Sequence, residues 1–293
     1  MNSSQPIQIC YCGNRKVFPQ ILLSVMSVAM HTSAAVCVRV FTMELTEVDE
    51  AFVPITQEQR AVLEHVLRGK NAASSALLVD AGEEYRACLT GGKNERGFYT
   101  PYALLRLLFD KFELPDKLIY LDTDTMCCGD IKKLWDYDIS GYEFGAVKDY
   151  EGSFWINRHY CNSGVLLMNM AECRRTDLLG RVRRRVLGRR MFMPDQSSLN
   201  KLAKKKLYLP RAFNEQRGIR RDTVIKHFCR GMKWYGPFFR LYNYKQTDRQ
   251  NVHESWAYIA STTCTRSTTS CRKNSTSGYD TWLHKTTLLK YRT

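Results

Sequence analysis

The sequence contains no uninterrupted apolar run of the roughly 18–20 residues that a transmembrane helix needs. Residues 1–6 are polar, and the apolar stretch over residues 21–35 is broken by serine, threonine and histidine, so we expect neither a secretory signal peptide nor a membrane span. The expected location is the cytoplasm, with the inner face of the membrane as a surface for peripheral association. Without export, the 11 cysteines are expected to be free and mostly buried, and the adjacent Cys127 and Cys128 are weak evidence for a soft-metal site.

Acidic residues are scarce relative to basic ones: 29 Asp and Glu face 44 Lys and Arg, which gives a net charge of +15. Such an imbalance favours polyanionic partners, namely nucleic acid, anionic lipid or phosphorylated substrates. Over residues 174–190, leucines and valines recur at helical spacing and arginines fill the other face. This pattern fits either a solvated helix face or a surface that rests on anionic headgroups. The basic and aromatic tract over residues 233–242 fits either a core edge or a membrane-interface segment.

The GxGxxG fingerprint of dinucleotide-binding folds is absent, although strands and helices alternate as in a nucleotide-binding domain. Helical patterns cover residues 19–31, 57–67 and 101–112, and Thr56 with Gln59 forms a capping-box signature before the second of them. Short apolar runs predict strands over residues 7–12, 36–42, 76–80, 117–121, 144–147, 165–168 and 223–228. This alternation predicts an α/β fold with a mostly parallel, doubly wound sheet.

The composition changes near residue 255, beyond which Ser and Thr are frequent and no amphipathic period is visible. Such a segment does not carry enough apolar surface to form a core. We therefore expect a catalytic domain over residues 1–250 and an irregular, poorly ordered tail over residues 251–293.

Two carboxylates, Asp122 and Asp124, follow the apolar run of residues 117–121. Ligands of open α/β sheets collect at the carboxyl ends of strands, and side chains at i and i+2 of an extended chain converge on one cation. Three site types fit this pattern. A haloacid dehalogenase-type phosphatase would carry Thr or Val at position 126, which is Met, and an EF-hand would need Gly and Glu at the positions of Cys127 and Lys133. The third is a glycosyltransferase Asp-x-Asp motif, which holds Mn²⁺ or Mg²⁺ against the diphosphate of a sugar nucleotide.

Further segments support the third interpretation, in the same order along the chain. They are Tyr102-Ala103-Leu104-Leu105-Arg106-Leu107, then LIYLDTDTMCCGDIKKLW from residue 118, Asn162-Ser163-Gly164-Val165, Asp195-Gln196-Ser197-Ser198-Leu199-Asn200, and residues 227–234, HFCRGMKW. With these motifs the chain resembles the retaining glycosyltransferases of family 8, which include glycogenin and bacterial lipopolysaccharide galactosyl- and glucosyltransferases. The resemblance covers about residues 7–235 and implies a GT-A-like, Rossmann-like fold.

The resemblance also implies roles for individual residues. Asp122, Asp124 and His227 would bind Mn²⁺ or Mg²⁺, with imidazole among the ligands favouring Mn²⁺. The donor would be a UDP-hexose. Its binding residues would be Asn14, Arg106, Asn162, Gly231 and Lys233, with Lys233 on a phosphate and Arg106 as a bidentate clamp. Asn14 stands near the point where the family commonly has an Asp that contacts uracil or ribose. The catalytic residues would be Gln196, Asp195 and Asp149, which line the donor sugar.

The predicted function is metal-dependent, retaining transfer of a hexose from a UDP-sugar to a cell-envelope glycan, a glycolipid or a protein. Gln196 would lie nearest the anomeric carbon, opposite the leaving group. Because glutamine is a poor nucleophile, the family resemblance favours front-face internal return. Two alternatives are a metal-dependent phosphatase and a non-catalytic basic module that binds nucleic acid or anionic membrane. For the enzyme we expect no nucleic-acid partner.

Overall fold

A computed structural model describes residues 5–95, 100–235, 238–243 and 245–248, and for residues 232–235 and 238–242 it describes the backbone alone. The strands are β1 Ile7–Cys12, β2 Val36–Thr42, β3 Ser75–Asp80, β4 Lys117–Leu121, β5 Thr125–Cys127, β6 Phe144–Lys148, β7 Cys161–Asn169, β8 Lys206–Tyr208, β9 Ile225–His227, β10 Gly231–Tyr235 and β11 Phe238–Tyr242. The predicted tail of residues 251–293 lies outside the described residues.

Helices of two types connect these strands. The α-helices are α1 Phe18–His31, α2 Gln57–Arg68, α3 Gly82–Cys88, α4 Lys132–Trp135, α5 Gly152–Trp155, α6 Met170–Arg175, α7 Leu178–Gly188 and α8 Pro194–Leu202. Arg15–Val17, Pro101–Lys111 and Arg211–Phe213 are 3₁₀ helices. The segment that begins at Pro101 is thus helical as predicted, but with the tighter 3₁₀ winding.

A seven-stranded sheet in the order β3-β2-β1-β4-β7-β6-β8 forms the centre of the fold. The pairs β3-β2, β2-β1, β1-β4 and β6-β8 are parallel, whereas β7 runs antiparallel to both of its neighbours. The prediction of a mostly parallel sheet is confirmed. Two smaller antiparallel pairs, β5-β9 and β10-β11, lie outside this sheet.

Both faces of the central sheet are covered, which explains why its strands read as continuous apolar runs. Successive residues of β1 enter opposite cores: Ile9 and Tyr11 pack with α1 and α2, while Cys10 and Cys12 pack with the Pro101–Lys111 helix and α7. All nine cysteines of the described residues are free. No helix within the described ranges is long and apolar enough to cross a membrane.

The capping box predicted before α2 is present. The Thr56 side chain accepts a hydrogen bond from the Gln59 backbone N–H, and the Gln59 side chain accepts one from the Thr56 N–H. These bonds satisfy two backbone donors that the first turn of a helix leaves without intrahelical partners.

The arginine-rich segment differs from its prediction in two ways. It forms two helices, α6 and α7, separated at Asp177, whose φ of 53° lies in the left-handed region. One arginine, Arg183, does not lie on the solvated face but is buried. Its guanidinium donates to the Leu107 carbonyl and forms a two-point ion pair with Asp110, 2.8 Å from Nη2 to Oδ2. A buried guanidinium is tolerated here because its donors reach a carboxylate and a carbonyl.

Arg183→Ala should lower the free energy of unfolding by about 2–4 kcal/mol, because it leaves the Asp110 carboxylate without its partner in a mostly buried position. Arg184 is the matched control, since its side chain is 68% exposed and pairs with Asp177 at the surface. We expect Arg184→Ala to change stability by less than about 0.5 kcal/mol. Urea unfolding of both variants measures the difference, and equal stabilities would contradict the structural role of Arg183.

Candidate active site

Two segments about a hundred residues apart meet where β4 ends. Asp122 and Asp124 follow β4, and the chain then enters β5, which pairs with β9 in antiparallel register so that Thr125 lies opposite His227. The Phe228 N–H donates to the Asp124 carbonyl at 2.8 Å. Backbone pairing therefore brings His227 next to the two carboxylates.

Asp122, Asp124 and His227 form the one group of three potential metal ligands of the His, Cys, Asp and Glu type found among the described residues, with their ligand atoms within 4.8 Å of one another. His227 Nε2 lies 3.2 Å from Asp124 Oδ1 and 3.7 Å from Asp122 Oδ2. His227 and Asp124 are buried, and Asp122 is partly exposed. The three predicted metal ligands are thus close enough to share one cation.

Asn214, which the sequence did not point to, orients His227. Asn162 Oδ1 accepts hydrogen bonds from the Gly164 N–H and from Asn214 Nδ2, both at 2.9 Å, so the Asn214 amide turns its oxygen toward His227. That oxygen lies 3.1 Å from His227 Nδ1. Nδ1 therefore donates to the Asn214 oxygen, and Nε2 is the ring nitrogen that faces the carboxylates.

This donor set fits a divalent cation. His227 Nε2 and one oxygen of each carboxylate converge, so a divalent cation between them would be bound by all three groups. Two oxygens and one imidazole nitrogen suit Mn²⁺ better than a metal that prefers sulfur. When bound, such an ion supplies Lewis-acid stabilisation of negative charge on a leaving group.

Gly164 closes one side of the cluster. A Cβ atom at this position would lie 2.1 Å from His227 Cε1 and 2.8 Å from Asp122 Oδ2. The Asp122 N–H donates to the Gly164 carbonyl at 2.7 Å, which fixes the start of the carboxylate turn against β7. The glycine is required here by close approach of the imidazole, since a real Cβ would displace it.

Arg106 joins the carboxylate turn to α8. Its Nη2 lies 2.7 Å from Asp195 Oδ2, and its Nη1 lies 3.3 Å from Asp122 Oδ1 and donates to the Ser163 carbonyl at 2.6 Å. The Tyr120 hydroxyl donates to the same Asp122 oxygen at 2.6 Å. Arg106 is buried and its guanidinium contacts at least three protein groups, and its predicted role as a clamp on the donor stays a prediction.

A second polar network links the predicted sugar-contact residues. Asp149 Oδ2 accepts from Asn162 Nδ2 at 2.9 Å and from Gln196 Nε2 at 3.1 Å. Gln196 Oε1 in turn accepts from the Ser163 N–H at 3.0 Å and from its hydroxyl at 3.2 Å. Because Asn162 also contacts Asn214, this network is continuous with His227 and the metal-ligand cluster.

Three other predicted residues lie apart from these contacts. Asn14 follows β1, is buried, and donates from Nδ2 to the Ala51 carbonyl at 3.3 Å. Gly231 begins β10 and Lys233 lies opposite Arg240 in the β10-β11 pair. The side chain of Lys233 lies outside the described residues, so its predicted phosphate contact remains a prediction.

Lys245 was missed by sequence reasoning because it falls twelve residues beyond Lys233, outside every recognised motif. Its Nζ lies 2.5 Å from Asp124 Oδ2 and donates to the Phe228 carbonyl at 3.2 Å. Burial alone raises the pKa of Asp124, but His227 and Lys245 outweigh burial and hold that pKa below its ordinary value. Asp124 is therefore an ionised carboxylate at neutral pH.

The charge states of the neighbouring groups are equally well defined. Burial lowers the pKa of Arg106. The opposing effect of its neighbours Asp195, Tyr120 and Asp122 is larger, so the net change in this pKa is upward. Burial raises the pKa of Tyr120 well above its ordinary value. At neutral pH, Arg106 is thus a cation and Tyr120 a neutral phenol that donates to Asp122.

A mostly parallel sheet flanked by helices, with carboxylates at the end of a central strand, defines the GT-A-like class of glycosyltransferase folds. The model of Glycosyl transferase family 8 matches residues 8–234, and the chain belongs to this family. Membership favours a transferase over the phosphatase and the non-catalytic binding module.

Solved structures with the same fold include the galactosyltransferase LgtC in complex with donor and acceptor sugar analogs. It is 17% identical to this chain, with a TM-score of 0.58 over 86% of this chain and 96% of LgtC. GlyE from Streptococcus pneumoniae is 20% identical, with a TM-score of 0.58 over 87% of this chain and 62% of GlyE. Among curated proteins, a probable glycosyl transferase Gly from Streptococcus gordonii is 30% identical over 33% of this chain and 14% of its own length. The chain thus matches only a small part of that relative.

Gly164→Ala should lower the free energy of unfolding by about 1–3 kcal/mol, because the added methyl group overpacks the site against the buried imidazole. Gly188 provides the control, since a Cβ there meets nothing within 4 Å. Gly188→Ala should leave stability unchanged or raise it by up to about 1 kcal/mol. Chemical denaturation compares the two, and a Gly164→Ala protein as stable as the wild type would show that the ring moves aside freely.

Asn214→Ala should weaken the binding of Mn²⁺ by about 10–100-fold, because the imidazole loses the acceptor that fixes its tautomer and orientation. Asn214→Asp keeps an oxygen for the Nδ1 proton and should retain most of the affinity. Calorimetric titration with Mn²⁺ measures both variants. Wild-type affinity in Asn214→Ala would rule out this orienting role.

Proposed function

We propose that this family 8 protein is a metal-dependent, retaining hexosyltransferase that uses a UDP-sugar as donor. The observation that carries the proposal is the continuous polar network from Asp122, Asp124 and His227 through Asn214 and Asn162 to Asp149 and Gln196. Such a network joins a site suited to a metal–diphosphate complex with carboxylate and amide groups suited to sugar hydroxyls.

Asp122, Asp124 and His227 would hold Mn²⁺, or Mg²⁺ as the second choice, and Lys233 would contact a phosphate. Arg106 holds Asp122 and Asp195 in place through the ion pairs described above. A fixed guanidinium between two carboxylates costs no reorganisation when charge develops on the leaving diphosphate. Asn14 would contact the nucleoside, and the choice of uridine rests on the family.

Gln196, Asp195 and Asp149 would bind the donor sugar. Gln196 Oε1 already accepts two hydrogen bonds from Ser163, which makes the amide oxygen still less nucleophilic. Asp195 is paired with Arg106, and Asp149 accepts from the Gly152 N–H at 2.6 Å as well as from two amides. These contacts favour stabilisation of an oxocarbenium-like transition state, with front-face internal return, over a covalent enzyme intermediate.

An open cleft of about 270 Å³ adjoins Asp149 and would receive the acceptor. Its wall includes Tyr150 and Tyr208, both exposed, with Arg217 over the Tyr150 ring at 4.4 Å and Lys148 over the Tyr208 ring at 5.4 Å. Aromatic faces beside polar groups suit a sugar, which supports a glycan, glycolipid or glycosylated protein as acceptor.

Peripheral association with anionic membrane stays a prediction. In the arginine-rich segment of residues 174–190, Arg183 is buried and cannot contact lipid headgroups, and Arg181 pairs with Glu143. Three consecutive apolar side chains, Phe154, Trp155 and Ile156, are instead exposed directly after the Asp149 loop. They support contact between this end of the site and a lipid-linked acceptor or the membrane surface.

The test is nucleotide release from a panel of UDP-hexoses and other nucleotide-hexoses, with candidate acceptors and either Mn²⁺ or a chelator. We expect nucleotide release from a UDP-hexose when Mn²⁺ is present and none when the chelator is present. Asp122→Asn and Asp124→Asn should each lower the rate by at least about 10²-fold, because each removes a charged metal ligand. NMR of the product should show the same anomeric configuration as in the donor, as expected for a retaining transferase.

Asp116→Asn is the matched control, because Asp116 precedes β4 and its side chain is 76% exposed. It should keep wild-type activity. A folded protein that releases no nucleotide from any donor, with metal and acceptors present, would rule out the proposed function.

A further inference from the structure

Two consecutive side chains of the segment 245–248 reach the carboxylate turn. Lys245 contacts Asp124 and the Phe228 carbonyl, as described above. Gln246 Nε2 donates to the Thr123 carbonyl at 2.6 Å and to the Gln20 carbonyl at 3.2 Å, and the residue is 3% exposed. The anchored Gln246 keeps Lys245 beside the carboxylate.

The oxygens of the two carboxylates divide into an inner and an outer pair. The inner pair, Asp122 Oδ2 and Asp124 Oδ1, faces His227 Nε2. The outer pair faces cations: Asp122 Oδ1 faces Arg106, and Asp124 Oδ2 faces Lys245. Each carboxylate of the turn therefore already faces a side-chain cation, although Arg106 is shared with Asp195.

These two cations differ in their freedom to move. Arg106 is held by Asp195 and by the carbonyls of Ser163 and Ala103. The Lys245 side chain is 31% exposed and carries its charge at the end of a four-carbon stem. Lys245 is thus the cation that is able to turn toward a new anion without disturbing the core.

We propose that Lys245 is a resident cation of the metal site, which weakens the binding of a free divalent ion and strengthens the binding of a nucleoside diphosphate beside it. The inference rests on the proposed function in one respect, that Asp122, Asp124 and His227 bind a divalent ion. An ammonium on the outer oxygen of Asp124 repels a second cation on the inner oxygen. The same ammonium attracts the diphosphate, so the ion and the nucleotide bind cooperatively.

Binding of Mn²⁺ and UDP to the full chain tests this without any turnover. Mn²⁺ affinity is measured from the electron paramagnetic resonance signal of the free ion, with and without UDP, and UDP affinity by calorimetry at saturating Mn²⁺. Lys245→Gln should bind Mn²⁺ alone about tenfold more tightly and UDP about tenfold more weakly. The factor by which UDP tightens Mn²⁺ binding should fall accordingly.

Three further variants show whether the charge and position of Lys245 cause these changes in affinity. Lys245→Arg keeps the charge and should retain wild-type coupling. Gln246→Ala removes the anchor and should change both affinities in the same directions as Lys245→Gln, by a smaller factor. Lys132→Gln makes the same charge change at an exposed pair with Asp136 and should alter neither affinity.

The outcomes separate this inference from the proposed function. If Lys245→Gln and the wild type bind Mn²⁺ and UDP with equal affinities, the role of Lys245 is overturned while the metal site stands. Tighter Mn²⁺ binding without any loss of UDP affinity overturns the diphosphate contact. If neither protein binds Mn²⁺ even with UDP, the metal-dependent function fails, and the inference fails with it.

Discussion

The short antiparallel pairing of β5 with β9 is the interaction on which the site depends. It places His227 opposite Thr125, one residue beyond the second carboxylate, although the two segments are about a hundred residues apart in sequence. The Phe228 N–H on the Asp124 carbonyl extends this pairing by one more hydrogen bond. The side-chain geometry of the predicted metal ligands is therefore a consequence of backbone register, and a one-residue slip of β9 would turn the imidazole away from the carboxylates.

Buried polar groups surround this pairing, and their contacts form a connected set. Arg106 and Tyr120 contact Asp122, and Arg106 also pairs with Asp195. On the other side, Asn214 contacts His227 and Asn162, and Gln196 contacts Ser163 and Asp149. Leaving a buried polar group without a partner lowers stability by more than one hydrogen bond adds, so each residue of this network depends on its neighbours. The result is a site whose side-chain orientations are held by protein contacts before any substrate arrives.

The sequence was sufficient to predict the elements whose signals are local. The strands before the carboxylates, the capping box of α2 and the mostly parallel sheet follow from apolar runs and side-chain periodicity. Only the family resemblance grouped the three predicted metal ligands, because no local pattern connects Asp122 with His227. Asn214 and Lys245 escaped prediction since each acts through a long-range contact and lies in a segment with no motif. Arg183 was assigned to the solvated face because helical periodicity does not reveal the carboxylate of Asp110 opposite it.

The reversed direction of β7 has a consequence for redesign of the candidate site. Because β7 is antiparallel to β4, its first residues, and not its last, lie beside the end of β4, where the Asp122 N–H meets the Gly164 carbonyl. Successive residues of β7 alternate between the two faces of the sheet. Here Asn162 donates to Asp149, the Ser163 N–H donates to Gln196, and Gly164 makes room for His227. Inserting or deleting one residue within β7 would turn each of these side chains to the opposite face of the sheet. Substitutions at fixed length, or length changes made before Cys161, would leave the alternation intact.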